Sequence, residues 1–425
     1  MRRLSTIVVC LASLCVARQN VETHPQGDTF KFETKLNVVL VPVQVRDAHG
    51  QAVGTLKKED FQVFDKGKPQ ILTGFTIQER APSISAPATS TPLPSVPVSQ
   101  TVPTKANVVP TRVVVFLFDD LHLSTPDLVQ AEKASTRMLG ESLAPSDVAA
   151  VLSLSGKTNS GLTQDRAKLT EAIMSLREQR IFRPAGRLCP DVSYYQANLI
   201  QNQNDSQAFE SAVQEAFSCG NLDRRMRSTA EQMAHSSASQ SLAFGEQGTR
   251  VSLKMIKLIV QKMAALPGQH SLILVSPGFL SVTPEGVTEK SEIMDMAAQA
   301  NVTINALDSR GLYVTEFDAS EPGASTEVMR TKSQYHRESL TADEDVMAEL
   351  AEGTGGTYFH NSNDLEAGFR KLTLAPEYLY LLEFTPQDVK QDGTYHNLKV
   401  TVDRQGLRLQ ARRGYYSAKA NKKKS

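Results

Sequence analysis

Two adjacent carboxylates follow an apolar run near the start of this chain's central region. The stretch VVVFLFDDLHLS places Asp119 and Asp120 directly after six apolar residues, and Ser124 follows shortly after. Such a run predicts a buried strand, and in open parallel sheets ligands gather at the carboxyl ends of strands. Carboxylate and hydroxyl oxygens suit Mg²⁺. The stretch therefore predicts a cation site, a catalytic acid cluster, or a polar strand end that caps the next helix.

Three further polar residues are predicted at or near strand tips. Thr163 precedes a predicted helix, Ser276 follows the run LILV, and Asp308 follows VTINAL. Two of them have a structural alternative. Thr163 is equally suited to be the N-cap of the helix that follows it, and Asp308 could pair with Arg310.

The elements that must position these residues alternate between strand and helix. From residue 111 onward, β-branched runs alternate with amphipathic helical segments, which predicts a parallel sheet with helices on both faces. The predicted fold class is α/β, with a doubly wound and mostly parallel sheet over 111–375. A polar insertion at about 180–250 interrupts the alternation and is predicted to form a separate helical subdomain.

The segments before and after this region do not show the alternation of strand and helix. Residues 32–80 and 376–417 contain short strands with hairpin-type turns, and together they predict a small β-rich module. Residues 81–110 are rich in proline, serine and threonine, which is typical of an extended linker. The lysine-rich end, 418–425, is predicted to be a solvated tail.

The N-terminus resembles a secretory signal peptide. Arg2 and Arg3 precede the largely apolar stretch 4–16, and Cys15 and Ala17 supply the small residues of a cleavage site. We therefore predict a signal peptide over residues 1–17 and an exported protein, periplasmic or extracellular. No later apolar run reaches the roughly 20 residues of a spanning helix, so no transmembrane segment is predicted.

Removal of the predicted signal peptide would leave two cysteines in the mature chain. Cys189 and Cys219 form an even pair in an oxidising compartment, which favours a disulfide. Closing a loop of this size is worth roughly 3 kcal/mol in the loop-entropy model. The alternatives are two unpaired buried thiols or, less favoured by the spacing, a metal site.

Several functions are disfavoured by composition and motif. The formal net charge is zero, so no overall field attracts nucleic acid. The segment SGKTNS resembles a phosphate-binding loop, but Val151 stands where the required glycine belongs. No Gly-x-Ser-x-Gly elbow is present. The sequence predicts that the protein is not an enzyme, with a metal-dependent hydrolase built on Asp119 and Asp120 as the remaining catalytic alternative.

The ordered motifs resemble those of a known family. VVVFLFDD, GLTQDRAKL, LILVSPG, VTINALD and LAEGTGGTYF occur in the order of a von Willebrand factor A domain. The chain is most similar to the secreted bacterial group called VWFA-related Acidobacterial proteins. That group shares the segment VPVQVRDAHG…DFQVFDKGKPQ, a cysteine-bearing insertion and the ending RRGYY. The resemblance covers most of residues 35–417.

The resemblance implies a divalent cation at the strand tips. Such domains ligate it through Asp-x-Ser-x-Ser on the first loop, a threonine on the second and an aspartate on the third. Counting from Asp119, the hydroxyl positions are leucines. Counting from Asp120, they are His122 and Ser124. The third loop reads SPG and has no carboxylate. The implied site is thus degenerate, with Mg²⁺ or Mn²⁺ held by four residues: Asp119, Asp120, Ser124 and Thr163.

The sequence as a whole favours a binding role. We predict an exported adhesion or assembly module that uses the carboxyl-end face of its sheet to bind another protein, whose identity and stoichiometry are left open. The alternative is a structural envelope or matrix protein without metal. The hydrolase is the third and least favoured hypothesis.

Overall fold

The computed structural model describes residues 38–49, 51–79, 112–179, 181, 188–312, 326–374, 376–386 and 394–417. The predicted signal peptide (1–17), the predicted linker (81–110) and the basic tail (418–425) lie outside the described residues. No helix among the described residues is both long enough and apolar enough to cross a membrane.

The described chain has β-strands without α-helices in its first and last parts, and in its middle part β-strands alternate with α-helices. In chain order the strands are β1 (Val39–Arg46), β2 (Phe61–Asp65), β3 (Lys68–Gln70), β4 (Leu72–Glu79), β5 (Arg112–Phe118), β6 (Val148–Ser153), β7 (Gln269–Val275), β8 (Val302–Leu307), β9 (Tyr358–Phe359), β10 (Tyr378–Phe384), β11 (Tyr395–Val402), β12 (Arg408–Ala411) and β13 (Gly414–Tyr416). The α-helices are α1 (Thr125–Ser142), α2 (Arg166–Met174), α3 (Tyr194–Asn202), α4 (Ser206–Cys219), α5 (Arg227–Ala264), α6 (Pro284–Gln299), α7 (Thr326–Gly353) and α8 (Leu365–Thr373).

A five-stranded parallel sheet forms the centre of the fold. Its strand order is β6-β5-β7-β8-β9, and every pair in it is parallel. Strand β5 is buried at all seven positions, because helices cover both faces of the sheet. This confirms the predicted α/β class with a parallel sheet between helices.

The side chains of β5 show how the two faces are filled. Successive residues of a strand point to opposite faces. Accordingly, Phe116 and Phe118 pack with α1, α2 and α8, whereas Val115 and Leu117 pack with α5, α6 and α7. A run of apolar residues on both faces is therefore what this central strand requires.

Strands from the two flanking segments pair with each other. One antiparallel sheet has the order β12-β1-β10-β4 and the other β13-β11-β2-β3. Each sheet thus combines strands from before and after the α/β region. Their inner faces enclose one apolar cluster that includes Val41, Phe61, Tyr380 and Phe384.

The insertion forms a helical bundle with its own core. Helix α5 contributes Ala234 and Ala238 to that core, together with residues of α3, α4 and α7. The predicted limit at residue 250 falls inside α5, because the same helix continues into the sheet core through Leu253 and Ile256. The 38 residues of α5 span about 57 Å, against about 23 Å for the seven residues of β7.

The position of this bundle follows from the connections. Helix α5 ends at Ala264 and leads within a few residues into the amino end of β7. Its amino-terminal half therefore extends well past the carboxyl ends of the strands. Helix α7 ends at Gly353, shortly before β9, and extends in the same direction. The helical bundle thus lies beyond the strand tips.

Candidate functional site at the strand tips

Three of the predicted residues lie in a row at the carboxyl end of the sheet. The backbone N–H of Asp119 donates to the carbonyl of Val275 at 2.9 Å, and that of Ser276 to Leu307 at 3.0 Å. Asp308 donates likewise to Phe359 at 2.9 Å. The sheet ladder thus continues one residue beyond each strand. Asp119, Ser276 and Asp308 are each at most 1% exposed.

Both carboxylate oxygens of Asp119 are occupied by donors of the protein. The Ser276 hydroxyl donates to Oδ2 at 2.6 Å. The backbone N–H groups of Leu121 and His122 donate to Oδ1 at 3.2 Å and 3.0 Å. The His122 ring nitrogen Nδ1 lies 2.9 Å from both oxygens. The side chain therefore closes the turn after β5 and also joins β5 to the loop after β7.

The imidazole of His122 is held between this carboxylate and an aromatic ring. Its plane stacks on Phe279 with ring centroids 5.4 Å apart and an interplanar angle of 23°. Phe279 itself is buried, at 3% exposure. The ring orientation of His122 is therefore fixed by contacts on two sides.

Asp120 makes a separate set of contacts with the loop after β6. Its Oδ1 accepts the backbone N–H of Ser155 at 2.9 Å, and its Oδ2 accepts the Ser155 hydroxyl at 2.5 Å. Burial raises the pKa of the Asp120 carboxyl above its ordinary value, although the hydrogen bonds from Ser155 act in the opposite direction. The carbonyl of Asp120 also accepts the N–H of Gln179 at 2.6 Å.

Asp308 belongs to an ion-pair network with helix α7. Arg310 donates from Nε at 3.0 Å and 3.1 Å to the two oxygens of Asp308, and from Nη2 at 2.7 Å. The same Nη2 lies 3.2 Å from Glu344 of α7. The predicted pairing of Asp308 with Arg310 is therefore seen, and it links the tip of β8 to the helix above it.

Asp343 of α7 extends this charged region. Burial raises the pKa of the Asp343 carboxyl from 3.8 to about 6, and the nearby charges of His122 and Arg310 limit the rise. Arg310 also lies near His336, whose pKa is lowered first by burial and then by that guanidinium.

Ser124 serves as the N-cap of α1. Its hydroxyl oxygen accepts the N–H of Asp127 at 3.4 Å, and its hydroxyl donates to the Asp127 carboxylate at 2.5 Å. This is the capping role that serine commonly fills at a helix start. The Ser124 hydroxyl is thus engaged with its own helix.

Thr163 lies away from the strand tips. It pairs with Ala149 near the amino end of β6, in antiparallel sense, whereas the tip of β6 is at Ser153. Four residues of strand separate Ala149 from Ser153, or about 13 Å. The structure therefore does not bring Thr163 together with Asp120. Nor is it a helix N-cap, because Asp165 caps α2.

Two partners of the predicted residues were not among the candidates from the sequence. Ser155 bonds to Asp120 from 35 positions further along the chain, and Asp343 lies near His122 although the two are far apart in the sequence. SLSG after a strand was a visible signal for Ser155, as serine beside glycine is typical of a tight turn. No local signal marked Asp343, which sits within a helix.

These contacts do not form a ligand set for an octahedral cation. Among the described residues, no group of three or more histidine, cysteine, aspartate or glutamate side chains is placed to hold a metal ion. The lone pairs of Asp119 and Asp120 are directed at protein donors. Leu121 and Leu123, at two of the family's hydroxyl positions, are buried in the two sheet cores at 5% and 0% exposure.

The predicted cysteine pair is bonded in the helical bundle. Cys189 and Cys219 form a disulfide with a Cα–Cα distance of 5.7 Å, closing a separation of 30 residues. It joins the segment before α3 to the end of α4. Asp191, two residues on, donates its N–H to Glu215 at 3.0 Å, which further fixes this connection.

Comparisons with known proteins give little further information. No family model and no curated protein matches this chain. A solved structure that it is similar to is the crystal structure of the TFIIH p34 N-terminal domain. The match has 11% identity, covers 62% of this chain and 97% of that one, and has a TM-score of 0.23. A score this low carries no argument about fold or function.

Proposed function

We propose that this chain is an exported protein-binding module that contacts its partner through the carboxyl-end face of the sheet and the helical bundle beyond it. We further propose that it is an A-domain protein of the von Willebrand type whose strand tips are held by internal hydrogen bonds and ion pairs rather than by a cation. The observation that carries the proposal is the saturation of Asp119. Ser276, His122 and two backbone N–H groups occupy its two oxygens.

This arrangement favours binding over catalysis. A general acid or base must reach its substrate directly or through one water, whereas Asp119 and Asp120 are at most 1% exposed and bonded to neighbouring loops. A metal-dependent hydrolase would need open ligand positions on its cation. The described tip residues provide donors and acceptors for one another instead.

The same face presents apolar surface. Ile181, which follows the segment bonded to the Asp120 carbonyl, is 54% exposed, and Leu312, beyond Arg310, is 56% exposed. The N–H of Leu312 donates to Asn363 at 2.7 Å, which fixes the backbone at this residue. Exposed apolar side chains on a fixed backbone lose little entropy on binding, so they suit a protein contact.

The Cys189–Cys219 disulfide supports an exported location, because such bonds persist in oxidising compartments. The alternative function is a structural protein of the cell envelope or matrix that assembles with copies of itself. The same saturated tips favour that alternative equally, since neither role needs a cation there.

Thermal unfolding with Mg²⁺, Mn²⁺ or EDTA tests the cation-free tip. A ligand that binds the folded state raises the midpoint, so we expect no shift at millimolar metal. A shift that disappears in the double variant Asp119→Ala and Asp120→Ala would contradict this part of the proposal.

Affinity capture from an envelope extract, with and without chelator, tests the binding face. We expect a protein to be retained by the wild type regardless of chelator, and lost in Ile181→Asp and Leu312→Asp. The matched control is Leu258→Asp, because Leu258 is also exposed, at 44%, but lies on α5 beside the sheet. Equal retention by all three variants would refute the proposed face. Concentration-dependent sedimentation that the same two variants abolish would favour self-assembly.

A further inference from the structure

A second candidate site lies at the opposite end of the sheet. A cavity of about 530 Å³ opens between the amino ends of β5, β7 and β8, the end of α8, and strands β1 and β10. Volumes of this size are typical of pockets for small organic ligands. The described residues that line this cleft do not include Asp119, Asp120, Ser276 or Asp308.

The charged side chains of the cleft are mainly cationic. The lining includes three cationic side chains, those of Arg46, Arg370 and Lys371. Among the described lining residues the carboxylate is that of Glu377. Arg370 has a distant partner, Glu141, at 3.8 Å. The described residues provide no ion-pair partner for Lys371. The described lining of the cleft therefore holds more cationic than anionic side chains.

A fourth cationic side chain in the lining, that of Arg112, is bonded within the protein and is not proposed to bind a ligand. It donates to Asp147 at 3.3 Å and to the carbonyl of Thr373, and its exposure is 6%. Its charge is thus balanced by Asp147, and its position ties β5 to the end of α8.

Uncharged polar side chains without protein partners converge on the same space. Gln44, Asn301 and Thr303 line the cleft, and within the described part of the chain their side chains have no hydrogen-bond partner. Their amide and hydroxyl groups can donate to an oxygen-bearing ligand.

The floor beneath these groups is fixed by its own hydrogen bonds. The Asn305 amide donates to Ser271 at 3.2 Å, and its oxygen accepts the N–H of Thr357 at 3.0 Å. Gln269 donates to Gln78 of the β-rich module. A rigid floor with unpaired donors above it is the arrangement expected of a preformed binding site.

We infer that this cleft binds an organic oxyanion, a ligand that carries carboxylate or phosphate groups on a larger body. Lys371 supplies positive charge for the anionic group, and Thr303 and Gln44 supply hydrogen bonds. The volume exceeds what a lone inorganic ion requires. The inference is independent of the proposed protein-binding face, because the two sites share no residues.

Calorimetric titration of the whole protein tests the inference with three probes: citrate, a tetraglutamate peptide and inorganic phosphate. We expect saturable binding of citrate or tetraglutamate, which distinguishes a small polycarboxylate from an acidic peptide, and weaker binding of phosphate. Losing a hydrogen bond to a charged group costs about tenfold in affinity, so Lys371→Glu should weaken binding by at least that factor. Thr303→Val should weaken it without changing charge.

The matched control is Lys254→Glu, a charge reversal at an exposed lysine of α5 outside the cleft lining. Unchanged thermal midpoints establish that the variants remain folded. The inference is overturned if the wild type binds none of the three probes saturably, if phosphate binds as tightly as citrate and tetraglutamate, or if Lys371→Glu and Thr303→Val bind as tightly as Lys254→Glu.

Discussion

Replacing Asp343 with asparagine should stabilise the protein at neutral pH. Asp343 lies where α7 packs on the loop after β7, so closely that a Cβ on Gly278 would lie 2.2 Å from its backbone carbonyl. Its carboxylate has the opposite charges of His122 and Arg310 nearby, yet burial still raises its pKa from 3.8 to about 6. Asparagine has nearly the same shape and resembles the protonated form of this side chain.

The direction of the effect follows from the two pKa values. The folded protein holds the proton more tightly than the unfolded chain does, so stability is greatest below about pH 4 and falls as the pH rises to about 6. One pKa unit corresponds to 1.36 kcal/mol, which gives a loss of about 3 kcal/mol as an upper bound. The asparagine side chain of the variant has no proton to lose in this range, so the variant does not undergo this loss.

Urea unfolding of wild type and Asp343→Asn between pH 4.5 and 7.5 measures the effect. We expect the stability difference to grow with pH until about pH 6 and then to remain constant, in favour of the variant. The matched control is Asp345→Asn, on the same helix, where the carboxylate is exposed. A variant that is less stable than wild type at pH 7, or a difference independent of pH, would refute the assignment of a half-buried, disfavoured charge to Asp343.

Two further predictions concern the connections that hold the strand tips and the bundle. Replacing Cys189 and Cys219 together with serine should lower the free energy of unfolding by about 3.5 kcal/mol, from the 30-residue loop that the disulfide closes; equal urea midpoints for oxidised wild type and variant would contradict this. Gly278→Ala should cost about 2–4 kcal/mol, because its φ of +94° disfavours a side chain and its Cβ would meet α7. The comparison is Gly67→Ala, which has a φ of +80° but open space around it; a loss no larger at Gly278 would mean that α7 does not pack there.

Local patterns carried enough information to predict the central sheet. The apolar runs of β5, β7 and β8 are buried on both faces, so their composition alone distinguishes them from half-exposed strands. The same patterns placed Asp119, Ser276 and Asp308 at strand ends, because the end of an apolar run is a local feature. The disulfide was favoured by counting, since two cysteines remained for one bond.

The roles of the polar residues could not be predicted from local sequence patterns. Ser124 and Thr163 have the side chains of a cation site, but a hydroxyl can ligate a metal, cap a helix or support a turn with equal ease. Which of these roles a hydroxyl takes depends on where the folded backbone places the residue. Thr163 follows a turn that returns along β6, and this turn takes it about 13 Å from the tip.

The sequence by itself determined the α/β class, the order of the elements and the positions of the strand-end carboxylates. Each of these depends on the pattern of apolar and polar residues over a few consecutive positions, which the sequence shows directly. Only the tertiary structure decided what those carboxylates contact. His122 and Ser276 saturate Asp119, and Ser155 saturates Asp120. It also decided that the flanking strands share two sheets and that a cationic cleft opens at the far end of the strands. These features join residues distant in the chain, and their energies depend on distance and burial, which no local pattern specifies.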